Sequence, residues 1–382
     1  MAQVYPLRMR YRMGTMPTRR STPSAPARML DRAVSRGDFP GACLLAAREG
    51  QVRLHQAHGR AGLDTVFDLA SLTKVLATTA VAMRLTADGV VDPGEPARRW
   101  LPELDGPGLR PLRLEHLLAH CSGLPAWLPL FRDPAVRAAR PARRRHVVRR
   151  VVAHTPLAAR VGAETVYSDL GFILLEWALE RCGGEPLDAL TRRLVLAPLG
   201  LARMRFIRHN RRGLVQSLRR RLAFAPTERC PWRRRRLCAE VHDDNCHAMG
   251  GVAGHAGLFG TAHEVSRVAH EIVQAYRGGR SIFDPRTVRR FLRSRPRRRA
   301  GRVLGWDTPS AGGSAGRLFG RRTVGHLGFT GTSLWIDLSR ALVVVLLTNR
   351  VYHGREPNPM IAFRPRLHDA VVRAVNAMDG AR

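Results

Sequence analysis

Strand-like stretches lie near both ends of the chain, and helix-like stretches lie between them. Residues that are apolar or β-branched in short runs predict strands over residues 42–47, 51–57, 303–307, 323–326, 332–337 and 341–348. Helical spacing of apolar positions, with glycines or capping residues at the ends, predicts helices over residues 29–36, 71–87, 113–123, 137–152, 170–182, 261–276 and 364–378. Residues 208–236 are rich in arginine and are predicted to be irregular.

Strands at both termini imply one sheet that the two chain ends complete together, with the middle of the chain as a helical insertion. We therefore predict an α+β fold, in which an antiparallel sheet flanked by helices is joined to a helical domain. The α/β part would comprise about residues 29–75 and 250–382, and the helical part about residues 76–249.

Composition limits the classes of function. The 382 residues suffice for a large buried core, 45% are hydrophobic, and no apolar run reaches the ~18–20 residues of a membrane span. A net charge of +34 is typical of nucleic-acid binding proteins. However, the arginines are spread along the whole chain, and the aromatic residues that stack on bases make up only 6%. We therefore expect no nucleic-acid partner, and keep a nucleic-acid-binding scaffold without catalysis as a remote alternative.

The first 28 residues contain arginine, proline, serine and threonine but no acidic residue. They are predicted to be a disordered basic tail or the product of an upstream start codon, with a transit-like peptide as the weaker alternative. Because this segment has no apolar core like that of a secretory signal, we expect a cytoplasmic protein. A periplasmic location would require a different start site.

Neither a disulfide framework nor a metal site is predicted. The six cysteines are scattered through a large chain, so we expect reduced thiols. Cys230, Cys238 and Cys246 lie eight residues apart, whereas zinc ligands usually lie two to four apart. His116 and His120 have the spacing of a zinc pair, but Leu117 stands where a metalloprotease helix has glutamate. We expect both histidines to pack or hydrogen-bond, and we expect no metal or cofactor.

Lys74 is the only lysine of the chain, although lysine and arginine together number 64. Arginine stays protonated, whereas a buried lysine amine can lose its proton. Ser71 precedes Lys74 by three residues, so on a helix the two side chains share a face. A hydroxyl beside an amine that can be deprotonated is an activated nucleophile. An isolated Ser-x-x-Lys is also common on exposed helices, so the pair alone does not establish a catalytic site.

Two glycine-rich segments provide further candidates. Residues 250–257 lack the lysine of a phosphate-binding loop, and we expect a tight turn that approaches an active site. Residues 312–316 match the Gly-x-Ser-x-Gly pattern around a nucleophilic serine, here Ser314. That motif requires a strand before it and a helix after it. Because Ser314 lies in a stretch of glycine and serine, we interpret the segment as a flexible turn.

Three motifs occur in order: Ser71-x-x-Lys74, then Tyr167-Ser168-Asp169, then His326-Leu327-Gly328. From about Met29 to the C-terminus, the chain thereby resembles the serine β-lactamase and penicillin-binding-protein superfamily, in particular its class C β-lactamase and esterase branch. The phrases at residues 116–125 and 254–259 also match that branch. The resemblance implies a β-lactamase/transpeptidase-like fold.

The resemblance also implies roles for individual residues. Ser71 would be the acylated nucleophile, and Lys74 the amine that takes its proton or lowers its pKa. Tyr167 would pass the proton to the leaving group and activate water. Asp169 occupies the place that usually holds asparagine. The backbone N–H groups of Ser71 and Phe329 would form the oxyanion hole, since Phe329 follows Gly328 of the third motif.

The third motif bears on the substrate. True class C enzymes have Lys-Thr-Gly there, and the lysine helps to hold the carboxylate of the antibiotic. His326 is mostly neutral at pH 7 and Leu327 has no hydroxyl, so efficient β-lactam hydrolysis is not expected. We expect a serine hydrolase that acts on a carboxylic ester or small amide. The alternatives are a D-peptide hydrolase and a class C-like β-lactamase.

Overall fold

The first helix begins earlier than predicted. The computed structural model describes residues 24–209, 212–294, 296 and 301–380. Helix α1 covers Ala25–Ser35, with the Ser24 hydroxyl accepting a hydrogen bond from the backbone N–H of Ala27 and a proline in the first turn. The prediction of a disordered tail over residues 1–28 is therefore wrong for residues 25–28, which are helical. Residues 1–23 lie outside the described part of the chain.

The described residues form twelve strands and twelve α-helices. The strands are β1 Gly41–Arg48, β2 Gln51–Gly59, β3 Phe67–Asp68, β4 Arg205–Phe206, β5 Arg229–Cys230, β6 Arg235–Arg236, β7 Leu258–Gly260, β8 Arg302–Val303, β9 Trp306–Asp307, β10 Thr323–Leu327, β11 Ser333–Asp337 and β12 Leu342–Thr348. The helices after α1 are α2 Ala80–Ala87, α3 Leu114–Leu118, α4 Pro134–Ala138, α5 Pro141–Ala153, α6 Asp169–Gly183, α7 Leu187–Thr191, α8 Arg212–Arg221, α9 Asp244–Ala248, α10 Ala262–Arg277, α11 Pro285–Arg293 and α12 Met360–Gly380.

The main sheet has seven strands in the order β2-β1-β12-β11-β10-β9-β8, and every pairing is antiparallel. Strand β1 pairs with β12, so the two chain ends complete the sheet as the sequence predicts. Alternate residues of β1 enter two separate apolar clusters. One cluster includes residues of α1 and α12, and the other includes residues of α10. Burial on both faces explains why β1 is almost continuously apolar.

One predicted strand is divided in two. Residues 303–307 form parts of β8 and β9, which are joined by a turn at Gly305 with φ of +83°. A Cβ atom at this position would lie 2.2 Å from Oγ1 of Thr79, on the π-helical segment that follows Lys74. The turn therefore requires glycine, and it brings the β8–β9 ribbon against the element that carries Lys74.

Two features of the helical part depart from the sequence analysis. In helix α5, Arg145 and Arg149 form ion pairs with Glu176 and Glu180 of α6, which the basic pattern of this helix does not indicate. Glu176 is fully buried. The segment 208–236 contains helix α8 and the β5–β6 hairpin and is not irregular throughout. Sequence periodicity missed both because arginine occupies buried and exposed positions alike.

Candidate active site

Ser71 lies where a short strand turns into a buried helix. After β3, residues Ala70–Leu72 form a single 3₁₀ turn, Lys74–Thr79 form a π-helix, and α2 continues it. The sequence predicts one continuous helix over residues 71–87, but the structure divides it into these three segments. Segments of π-helix often occur at functional sites. Ala70 has a φ of +48°, a strained value for a residue with a side chain. Its N–H donates to Oδ1 of Asp68 at 2.9 Å, which holds the turn.

Lys74 is completely buried, and its ammonium group has three acceptors. Its Nζ lies 3.1 Å from Oγ of Ser71, 2.7 Å from Oδ1 of Asp169 and 3.2 Å from the carbonyl oxygen of His255. The His255 carbonyl comes from the glycine-rich segment 250–257, which therefore does approach the site. Three acceptors match the three donors of a protonated lysine.

The charge state of this cluster follows from its contacts. Burial lowers the pKa of Lys74, but the Asp169 carboxylate and Tyr167 raise it by more, so that the net pKa lies above its ordinary value. Burial raises the pKa of the Tyr167 phenol, and contacts with Lys74 and Ser71 offset only part of that increase. The resting site at neutral pH therefore holds a charged Lys74 and a neutral Tyr167.

Tyr167 and Asp169 are placed by the start of α6. The Ser168 hydroxyl caps this helix, accepting from the N–H of Gly171 at 3.2 Å. The Ser168 N–H donates to Nδ1 of His120 at 2.9 Å. The His120 ring lies 4.6 Å from the Tyr167 ring and stacks 5.0 Å from that of Phe172. His120 therefore packs and hydrogen-bonds, as predicted, and it fixes the position of the Tyr167 ring.

The third motif lies at the end of β10, opposite Ser71. A Cβ atom on Gly328 would lie 2.7 Å from the carbonyl oxygen of Leu69 and 3.3 Å from Cβ of Ala70. Only glycine lets the end of this strand approach the turn before Ser71 so closely. The next residue, Phe329, has a half-exposed ring at the mouth of the cavity.

His326 is buried and neutral. Its Nδ1 lies 2.8 Å from the Leu327 carbonyl oxygen, so Nδ1 carries the proton and Nε2 is the acceptor. Burial, followed by repulsion from Lys74 and Arg302, holds the pKa of His326 well below its ordinary value. Nε2 has no hydrogen-bond partner within the described part of the chain. The third motif therefore supplies no positive charge.

The structure brings all seven predicted site residues together. A cavity of about 490 Å³ is lined by Ser71, Tyr167, Asp169, His326, Gly328 and Phe329, and Lys74 lies beneath it. A second cavity of about 760 Å³, with Phe131 and Trp232 in its wall, adjoins the first. The two cavities share Trp127, Asp244 and Arg355. A substrate bound at Ser71 therefore has room to extend beyond the first cavity.

Comparison with known proteins agrees with this geometry. The sequence model of the beta-lactamase family matches residues 27–364. The chain belongs to the beta-lactamase family. The N-acetylmuramyl-L-alanine amidase of Bacillus subtilis is 30% identical over an alignment of 361 residues that covers 84% of this chain and 79% of the relative. A protein of Escherichia coli, provisionally named a D-alanyl-D-alanine carboxypeptidase, is 28% identical over 82% of this chain and 79% of its own length.

Solved structures show the same fold. EstCE1, a hydrolase with promiscuous acyltransferase activity, superposes with a TM-score of 0.69 at 22% identity, over 91% of this chain and 97% of its own. A variant of simvastatin synthase from Aspergillus terreus gives a TM-score of 0.66 at 20% identity, over 92% and 98% of the two chains. The beta-lactamase fold, with an antiparallel sheet and flanking helices, is thus shown for this chain.

Sequence reasoning missed three arginines of this beta-lactamase-family site. Arg302, Arg350 and Arg364 all line the first cavity. The Arg302 guanidinium lies 5.1 Å from the centre of the Tyr167 ring, and its nearest carboxylate is Asp307 at 3.5 Å. Its Nη1 is buried without a partner among the described residues. No sequence signal distinguishes these arginines, since almost every cation of the chain is arginine.

Other candidates from the sequence lie away from this site. Ser314 lies in a loop without a flanking strand or helix, so its match to the Gly-x-Ser-x-Gly pattern is accidental. None of the six cysteines, all of which lie in the described residues, forms a disulfide bond. Within residues 24–209, 212–294, 296 and 301–380, no group of three or more potential metal ligands is found. No helix in the same residues is long and apolar enough to cross a membrane.

Proposed function

We propose that the chain is a serine hydrolase that forms an acyl-enzyme on Ser71 and acts on a carboxylic ester or a small amide. The observation that carries the proposal is the buried Lys74 Nζ, 3.1 Å from the Ser71 hydroxyl at the base of an open cavity. Membership of a family of hydrolases supports it. The amidase name of the Bacillus subtilis relative favours an acyl substrate.

Proton transfer would begin with the loss of one proton from the Lys74–Tyr167 pair, because both groups are protonated in the resting site. The pair then accepts the Ser71 proton while Oγ attacks the substrate carbonyl. It returns that proton to the leaving alcohol or amine as the acyl bond breaks. In the second half-reaction the pair takes a proton from water as the water oxygen attacks the acyl carbonyl. The bond between the acyl carbon and Ser71 Oγ then breaks, and the pair returns the proton to Oγ, which releases the acid and restores the Ser71 hydroxyl.

Negative charge on the substrate oxygen would be stabilised by backbone donors. Ser71 is the second residue of a 3₁₀ turn, where N–H groups have no acceptor within the helix. Phe329 N–H, on the opposite side of the cavity, is the second candidate donor. Removal of one such donor typically costs about 3–4 kcal/mol of transition-state stabilisation.

A second candidate is hydrolysis of a D-peptide with a free carboxylate, and Arg302 favours it. A neutral His326 cannot neutralise a carboxylate, whereas Arg302 lines the same cavity with an unpartnered Nη1. The provisional carboxypeptidase name of the Escherichia coli relative agrees with this candidate. A comparison of D-Ala-D-Ala peptides with free and amidated C-termini would separate a D-peptide hydrolase from a general esterase. Only the D-peptide hydrolase should require the free carboxylate of the substrate.

Intact-mass measurement after incubation with an activated ester or penicillin tests the proposal. Wild-type protein should gain the mass of one acyl group, and Ser71→Ala should gain none. The matched control is Ser314→Ala, which removes the serine of the accidental motif and should be acylated like wild type. Absence of a Ser71-dependent adduct would refute the acyl-enzyme function.

A further inference from the structure

Two buried arginines, Arg350 and Arg364, line the cavity beside the third motif. Arg350 and Arg364 are 3% and 6% exposed. Neither guanidinium group forms an ion pair within 4.0 Å among the described residues. Burial of a cation without an ion pair is unfavourable unless hydrogen-bond acceptors replace its hydration.

Both side chains bind backbone carbonyls of the loop that ends β10. Nη2 of Arg364 donates to the carbonyl oxygens of Gly328 at 2.9 Å and Thr332 at 2.8 Å. Nε of Arg350 donates to the carbonyl oxygen of Phe329 at 2.9 Å. The peptide groups on both sides of Phe329 are thus held by cations.

The direction of the Phe329 N–H follows from this contact. The Gly328 carbonyl and the Phe329 N–H belong to one peptide group, which is trans. In a trans peptide, C=O and N–H point in opposite directions. Since the carbonyl points at Arg364, the N–H points away from it. No acceptor for this N–H is found in the part of the chain that the structure describes.

We propose that Arg364, supported by Arg350, is a positioning residue of the oxyanion hole. It fixes the Gly328–Phe329 peptide so that Phe329 N–H faces the reacting oxygen, and its charge polarises that peptide so that the N–H is a stronger donor. Charge-assisted hydrogen bonds are roughly twice as strong as neutral ones, which makes such polarisation effective. This inference rests on the acyl-enzyme function proposed above.

The charge that this role requires is present at neutral pH. Burial, followed by repulsion from Arg350, lowers the pKa of Arg364 to about 9. Most molecules therefore carry the cation at pH 7. The guanidinium also donates to two carbonyls at once from a single nitrogen, which fixes Gly328 relative to Thr332 across the turn.

The test compares Arg364→Met, Arg364→Lys and the matched control Arg366→Met, an exposed arginine on the same helix. We measure p-nitrophenyl acetate hydrolysis and the Kd of phenylboronic acid, which mimics the tetrahedral intermediate. Arg364→Met should lower kcat/KM about tenfold to fiftyfold with KM within twofold, and should weaken boronate binding by the same factor. Arg364→Lys should recover part of both, and Arg366→Met should match wild type.

Two results would overturn the inference: boronate affinity of Arg364→Met within twofold of the control, or a raised KM with unchanged kcat. Melting temperature and near-UV circular dichroism report whether each variant folds. If Arg364→Met does not fold, Arg364→Lys and Arg350→Met decide by the same two measurements. Wild-type acylation at Ser71 with normal boronate binding in the variants would refute only this inference, whereas no acylation in wild type would refute the proposed function itself.

Discussion

The two walls of the cavity present opposite chemistry. The wall formed by the Ser71 turn and α6 carries the titratable cluster, in which Lys74 is paired with the Asp169 carboxylate. The wall formed by β10 carries a neutral His326 and backbone groups, and its cations Arg350 and Arg364 donate to backbone carbonyls. In the reaction proposed above, the first wall transfers protons, and the second stabilises charge through oriented peptide groups.

The contrast between Lys74 and Arg364 makes the same point. Both are buried cations, but Lys74 has a carboxylate partner, whereas the hydrogen-bond partners of Arg364 among the described residues are backbone carbonyls. Lys74 is the only lysine of the chain, and in the proposed reaction it takes part in proton transfer. Variants that alter the titratable groups of one wall, or the third motif on the other wall, should separate proton transfer from charge stabilisation.

The largest expected effect is that of Lys74→Arg. The substitution keeps the positive charge but supplies a group that cannot give up its proton, so the rate of acylation should fall about 10²–10⁴-fold. Stopped-flow measurement of p-nitrophenol release checks this, with Arg366→Lys as a control for the reverse exchange at an exposed site. A rate like that of wild type would mean that Lys74 acts only as an electrostatic support.

Asp169→Asn should shift the pH dependence. The Asp169 carboxylate raises the pKa of Lys74, so its removal should lower that pKa and leave more neutral amine at pH 7. The rising limb of acylation against pH should move to lower pH by about one to three units. At pH values below this rising limb, a shift of one pH unit changes the rate of acylation about tenfold.

The profile is measured from pH 6 to about pH 10. Asp105→Asn, at an exposed position, is the control and should leave the limb in place. An unmoved limb in Asp169→Asn would show that the proton lost on activation does not come from the Lys74–Tyr167 pair.

The smallest expected effect concerns the other wall. Leu327→Thr supplies the hydroxyl that class C enzymes have in the third motif, so acylation by penicillin should become about threefold to tenfold faster. Ester hydrolysis should change less than twofold, because proton transfer takes place on the opposite wall. Leu327→Val, which adds no hydroxyl, is the control. An equal gain with valine would mean that the size of the side chain, not its polarity, limits penicillin binding.

Sequence alone predicts the sheet well, because β1, β11 and β12 are apolar runs bounded by turns. It also indicates Ser71 and Lys74, since the only lysine of the chain follows a serine at helical spacing. Strand β8–β9 was predicted as one element because a turn at Gly305 depends on contact with Thr79, a distant residue.

The buried arginines could not be predicted. Arg149 and Arg364 have the same residue type as many exposed positions, and their burial depends on Glu176 and the Gly328 carbonyl, which are 27 and 36 residues away in sequence. The charge state of Lys74 likewise depends on Asp169, 95 residues away. Local patterns cannot report such pairings, so the site's electrostatics required the structure.

Location of the acyl group tests the central claim most directly. Wild-type protein is mixed with p-nitrophenyl acetate, quenched with acid during the initial burst, digested and analysed by tandem mass spectrometry. Ser71 should carry the acetyl group, with about one p-nitrophenol released per chain in the burst. An acetyl group on another residue, or steady turnover in Ser71→Ala at the wild-type rate, would contradict the assignment of Ser71 as nucleophile.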